Sequence, residues 1–208
     1  MGGRGAPVPT DYIQDGLVFW LDGINKGPNE GYWTDLKGGC QYSYPASGTT
    51  VLDKGVEFTS QVTMHLASGT VPNNSGYTIE VCFVKSGGGS PSGVFSIESG
   101  ATSGSIAVAI NNNRNMFMQR QKCILENPTL DALSRYSYNL DVCCVNGNQG
   151  TFTNTDYWSV SVNNVGVGAI YGTRGIIGII HSIRIYNRKL SLLEMQNNQS
   201  IDSQRFGT

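Results

Sequence analysis

The chain has 208 residues, a formal net charge of −1, only 14% charged residues and 27 glycines. No basic cluster is present, which argues against a nucleic-acid partner, because neutralising phosphates takes grouped Lys and Arg. No apolar run approaches the roughly 18 residues of a membrane span, so no membrane partner is expected. Many Gly, Ser, Asn and Thr between short apolar runs predict strands joined by tight turns, and a globule of this length buries on the order of 70% of its unfolded surface.

Residues 1–15, with Pro7 and Pro9, read as a flexible lead-in that lacks the apolar core of a signal peptide. Gly16–Gly23 (GLVFWLDG) is apolar on both sides, with Leu17, Phe19 and Leu21 on one and Val18 and Trp20 on the other. Such a strand is covered on both faces. Short strands follow at Val56–Thr59 and Val62–Ala67, then at Tyr77–Lys85, where Tyr77, Ile79, Val81 and Phe83 share a side. Ser86–Gly93 reads as a loop, Val94–Ile97 and Ser105–Ile110 as strands, Asn111–Arg114 as a turn, and Met116–Gln121 as the returning strand. Ser137–Asn146 is predicted to face Tyr138, Leu140, Val142 and Cys144 inward. Asp156–Val165 is predicted to face Trp158, Val160 and Val162 inward and Tyr157 outward.

The most specific stretch is Arg174–Gly207. Ile177, Ile179, His181, Ile183 and Ile185 alternate with Gly178, Ser182, Arg184 and Tyr186, the period of a half-buried strand. Asn187–Lys189 ends it. Ser191-Leu-Leu-Glu194 is a capping box opening a helix of about two turns.

These motifs resemble one family. "IHSIRIYNRKLSLLEMQNNQSIDSQRF" is similar to the C-terminal signature of laminin-G-like domains in the concanavalin A-like lectin/glucanase superfamily. "GLVFWLDG" and "YWTDLKGG" resemble its N-terminal signature: Trp33, Asp35, Leu36 and Gly38 match, and Lys37 takes the Ser position. "YTIEVCFVK" resembles its "F-T-I-E-x-W-x-K" strand with Cys82 in the Trp position, and Val145-Asn146-Gly147 resembles its hairpin turn. The resemblance implies an all-β, two-sheet antiparallel jelly-roll sandwich over residues 16–208, with one short C-terminal helix. The ending "N-x-x-I-D-x-x-R-F" resembles laminin-G-like domains of bacteriophage structural and gut-bacterial proteins.

Candidate chemistry is sparse. A glycosidase needs paired carboxylates, yet the superfamily's E-x-D-x-x-E pattern is missing and the glutamates are scattered. Glu80 and Asp141 could share a sheet face, against the reading that both are solvated. His181 reads as a neutral core histidine and His65 as an exposed one. No cofactor is expected. A structural Ca²⁺ would take Asp22, Asn25 and Asp35, with turn capping by the two aspartates as the competing reading. Cys40, Cys82, Cys123, Cys143 and Cys144 form no C-x-x-C pair; all five are expected reduced, with Cys40–Cys123 as the alternative.

Sugars stack on aromatic rings and bond to amides and Arg, which singles out Tyr32, Trp33, Tyr42 and Tyr44 in one stretch, Asn111, Asn113 and Arg114 at a hairpin tip, and Tyr157. Packing of Trp33 under the sheet edge is the competing reading. The function expected is therefore a non-catalytic lectin-like module for a glycan or cell-surface ligand, set on a bacteriophage particle or the cell exterior. The alternative is a virion structural or decoration protein whose partners are other virion proteins. A glycoside hydrolase comes third.

Overall fold

The computed structural model describes residues 11–27, 31–71, 78–88, 92–97, 106–110, 116–118, 121–124, 132–139, 141–154, 166–170 and 174–207. In chain order the strands are β1 (Leu17–Asp22), β2 (Tyr32–Thr34), β3 (Cys40–Ser43), β4 (Thr49–Leu52), β5 (Gly55–Phe58), β6 (Met64–Gly69), β7 (Thr78–Gly88), β8 (Ser92–Ile97) and β9 (Ile106–Ile110). They continue with β10 (Met116–Met118), β11 (Gln121–Ile124), β12 (Leu133–Tyr138), β13 (Cys143–Val145), β14 (Asn148–Gln149), β15 (Thr151–Asn154), β16 (Gly166–Val167), β17 (Ala169–Ile170) and β18 (Arg174–Tyr186). One helix, α1 (Leu192–Phe206), follows. The predicted strand at 156–165 lies outside the described residues.

The longest strand, β18, ties two sheets together. Its start pairs with β17 and β8 in one of them. From Ile176 onward it runs through the other, with β7 on one side and β5 then β1 on the opposite side. The first sheet thus runs from β4 through β5 and β1 to β18, β7, β12, β13 and β14. The second runs β2, β3, β6, β16, β8, β9, β10, β11 and β15. Apolar side chains from both fill the space between them. Phe19 of β1 stacks on Phe95 of β8 at 5.7 Å and meets the Tyr42 ring of β3 edge-on at 6.4 Å. Phe83 stacks on Tyr136 at 5.3 Å.

Four details depart from the sequence reading. In β18 the pairing with β7 slips between Ile180 and Ser182. Ile176, Ile180, Ile183 and Ile185 join the core, while Ile177 and Ile179 are only half-buried. A bulge inserts one unpaired residue and so reverses the phase of alternation. His181, at the slip, turns to the helix side and stacks on Phe206 at 5.2 Å. A similar irregularity between Leu17 and Phe19 puts Leu17 with the helix-side cluster and packs Val18 against the core.

The stretch 137–146 is a hairpin rather than one strand. The Asn139 side-chain oxygen accepts from the Asp141 and Val142 amides at 2.8 Å each, closing an Asx turn. Beyond it Cys143 faces the core, and Cys144 and Val142 face the helix. The Val145-Asn146-Gly147 turn is present as expected: Asn146 and Gly147 have φ 48° and 84°, which a tight two-residue hairpin requires.

The capping box forms, with Ser191 accepting from the Glu194 amide and Glu194 accepting from the Ser191 amide. The helix, however, has 15 residues, well beyond the two turns expected. Its buried face is Met195, Asn198, Gln199, Asp202 and Phe206, spaced as one helical stripe but polar in the middle. The apolar signal therefore stops at Met195 although the buried stripe does not. Arg188 bonds both Glu194 oxygens, at 2.6 and 3.2 Å, and holds the carboxyl down at about 2 against an ordinary 4.5. A carboxylate whose folded pKa is depressed stabilises above the unfolded value and loses that contribution as pH falls through the folded one. Acid titration from pH 5 to 2 is expected to weaken wild type more than Glu194→Gln, and Ser191→Ala is expected to cost about 1 kcal/mol in urea denaturation.

Candidate functional site

The outer face of the first sheet carries a row of polar side chains. Register places Trp20, Arg184, Glu80, Ser137 and Cys144 beside one another on β1, β18, β7, β12 and β13. All five are buried, because α1 lies over them. Arg184 bonds Asp202 of the helix through both terminal nitrogens at 2.8 and 2.6 Å, and Glu80 through Nε at 2.8 Å. Glu80 also accepts from Ser137 at 2.8 Å and Asn198 at 2.9 Å. Gln199 donates to the Ser137 hydroxyl and to the Cys144 carbonyl. Tyr12 donates to Asp202 at 2.7 Å, and the Arg184 guanidinium sits 4.2 Å from the centre of its ring. At the far end of the helix Arg205 bonds Asp22 at 2.7 Å.

Burial raises the Glu80 carboxyl above its ordinary value, with the Arg184 charge pulling the other way. Burial also works against the Arg184 charge, but Asp202 and Glu80 more than offset it, so the guanidinium stays protonated. The network clasps the helix to the sheet. It does not offer Glu80 to a substrate, and the expectation that Glu80 is solvated is corrected with it. Asp141 is exposed and pairs with Lys189 at 2.5 Å. The two carboxylates point to different partners and form no acid/base pair.

The calcium candidates do not fit a cation cage. Asp35 accepts from the Trp20, Lys37 and Gly39 amides. Asp22 accepts from the Ile24 amide, the Asn25 side chain and Arg205. Their oxygens cap turns and hold a guanidinium. Among the described residues no group of three or more His, Cys, Asp and Glu could hold a metal, and no helix is long and apolar enough to cross a membrane.

His181 is buried, and its Nδ1 lies 2.6 Å from the Lys54 carbonyl. Burial lowers its pKa, as for a neutral core histidine. His65 is exposed. Cys40, Cys82 and Cys144 are free and buried, but Cys143 is disulfide-bonded, which corrects the expectation of five reduced thiols.

Of the predicted sugar-contacting residues, Trp33 and Tyr42 face the core, as a cross-strand pair on β2 and β3. Trp33 bonds the Asp22 carbonyl at 3.1 Å. Both are fully buried, so neither ring can receive a ligand. Tyr44 is half-buried against the same core. Asn111, Asn113, Arg114 and Tyr157 lie outside the described residues. Tyr32, 37% exposed, is the one aromatic among the exposed large hydrophobic residues described. Alternation puts it on the outer face of the second sheet, opposite Ser43, which is opposite the exposed His65 on β6. The next row holds Thr34, Gln41 and Ser68. Sequence reasoning missed Ser43 and Gln41, because short polar strands carry little periodic signal, and it read His65 as exposed without linking it to a site.

No family model matches the sequence, and no curated protein matches it. Solved structures do. The chain overlays Trypanosoma rangeli sialidase with a TM-score of 0.63 at 17% identity, over 100% of this chain and 35% of that one. The same sialidase in complex with sialic acid matches with a TM-score of 0.59 at 16% identity, over 99% of this chain and 35% of that one. Domain 4 of AbnA, a GH43 extracellular arabinanase from Geobacillus stearothermophilus, in complex with arabinotriose, matches with a TM-score of 0.56 at 12% identity, over 88% of this chain and 98% of that one. The overlays show the fold alone, a two-sheet β-sandwich of the jelly-roll type. The chain spans about a third of the sialidase length.

Proposed function

We propose that the protein is a non-catalytic carbohydrate-recognition module. The observation that carries this reading is the overlay on nearly the whole of a small domain that is itself in complex with arabinotriose. The fate of four of the described carboxylates supports the non-catalytic half: Glu80, Asp202, Asp22 and Asp35 are buried and engaged within the fold, and the exposed Asp141 pairs with Lys189. Glycoside hydrolysis requires two carboxyl groups open to the glycosidic bond.

The sequence motifs support a laminin-G-like domain of the bacterial or bacteriophage type, displayed on a virion or cell exterior. The disulfide at Cys143 fits an oxidising location of that kind. A glycan array with the purified chain tests the reading. Saturable binding without turnover of the bound sugars is expected. Silence from a folded sample would remove the carbohydrate reading and leave the alternative, a decoration protein whose sandwich binds other virion proteins.

A further inference from the structure

Resting on that reading, we infer that the ligand is an uncharged saccharide and that it lies on the outer face of the second sheet at the β2–β3–β6 end, with Tyr32 as its stacking platform.

Three observations converge on this face. Tyr32 keeps an exposed aromatic ring on a regular strand, while its neighbour Trp33 and the paired Tyr42 are fully buried. The face is therefore aromatic where packing does not demand it. An amphipathic ring with few rotatable bonds makes a low-entropy contact surface. Next, the register sets Ser43 and His65 in line with Tyr32, and Thr34, Gln41 and Ser68 in line beyond an irregularity in the β3–β6 pairing. Strands about 4.8 Å apart make each row about 10 Å long, enough for more than one sugar ring.

The chemistry of the six side chains supplies the third observation. None is a lysine, an arginine or a carboxylate, while hydroxyl, amide and imidazole groups offer both donors and acceptors. Gln41 donates to Thr34 Oγ1 at 3.4 Å and Ser43 donates to the His65 carbonyl at 3.4 Å, so two of the polar groups are held within the sheet. Such a surface suits the hydroxyls of a neutral sugar. A sialic acid carboxylate would call for a charge-assisted partner such as arginine, and these six positions provide none.

The test uses the intact chain with arabinotriose, other neutral oligosaccharides and a sialylated trisaccharide, followed by calorimetry and by amide chemical shifts. Wild type is expected to bind a neutral oligosaccharide, with shifts confined to the β2–β3–β6 end. Tyr32→Ala is expected to weaken it about tenfold or more, Tyr32→Phe to retain it, and Gln41→Ala and His65→Ala to weaken it several-fold. Tyr32 is exposed, so an unchanged melting temperature separates lost contact from lost fold. Neutral-sugar binding that survives Tyr32→Ala and Gln41→Ala would overturn the location and leave the carbohydrate reading intact. Binding of the sialylated sugar alone would overturn the uncharged class. Binding of none would overturn both.

Discussion

Arg184→Met is expected to destabilise the protein by about 3–5 kcal/mol, measured by urea denaturation followed through tryptophan fluorescence. Arg184 is buried, and it is the cation between Glu80 on β7 and Asp202 on α1. Removing it leaves two carboxylates under the helix with no counter-charge, at sites where burial already raises Glu80. The loss should depend on pH in a definite direction. Without the cation the folded carboxyl pKa rises further above its unfolded value, so the folded state binds more protons and the variant gains stability as pH falls. The deficit is therefore larger at pH 8 than at pH 5. Replacing all three charges together, as Glu80→Met, Arg184→Leu and Asp202→Leu, should recover much of the loss, because apolar residues of similar volume avoid the desolvation of a buried ion set. A deficit below about 1 kcal/mol for the single variant would mean that the network contributes little.

Phe19→Ala is expected to cost about 3–5 kcal/mol. Phe19 is fully buried and touches both sheets, stacked on Phe95 and edge-on to Tyr42. Truncation loses its transfer energy and leaves a cavity walled by rigid strands that cannot close over it. Leu193→Ala provides the contrast. Leu193 is 76% exposed on α1, and its truncation should stay within about 0.5 kcal/mol of wild type. Equal effects from the two would contradict a core placed between the sheets.

The candidate site was legible only in part. Tyr32 stands in a stretch whose aromatic content marks it in the sequence; the competing reading already packed Trp33 under the sheet edge, but nothing there separates Tyr32 from Tyr42. The strand direction that turns one ring outward and two inward is a property of β2 pairing with β3. His65 and Ser43 come level with Tyr32 only through the pairing of β3 with β6, strands about twenty residues apart in the chain. Glu80 reads locally as a polar strand residue and becomes an internal ion partner only because α1 covers it.

The sequence alone determined what short-range physics controls: an all-β chain closed by a C-terminal helix, the places of the longer strands such as β1, β7, β9 and β18, the Asn146-Gly147 turn and the Ser191–Glu194 cap. Each follows from side-chain alternation or from bonds within a few residues. Tertiary structure alone decided the bulge in β18 that sends His181 to the helix, the full length of α1, the burial of Glu80, Arg184 and Asp202, and the exposed face built around Tyr32. Those features depend on which distant strand or helix lies opposite a residue, and a polar side chain in a strand looks the same in sequence whether water or a helix covers it.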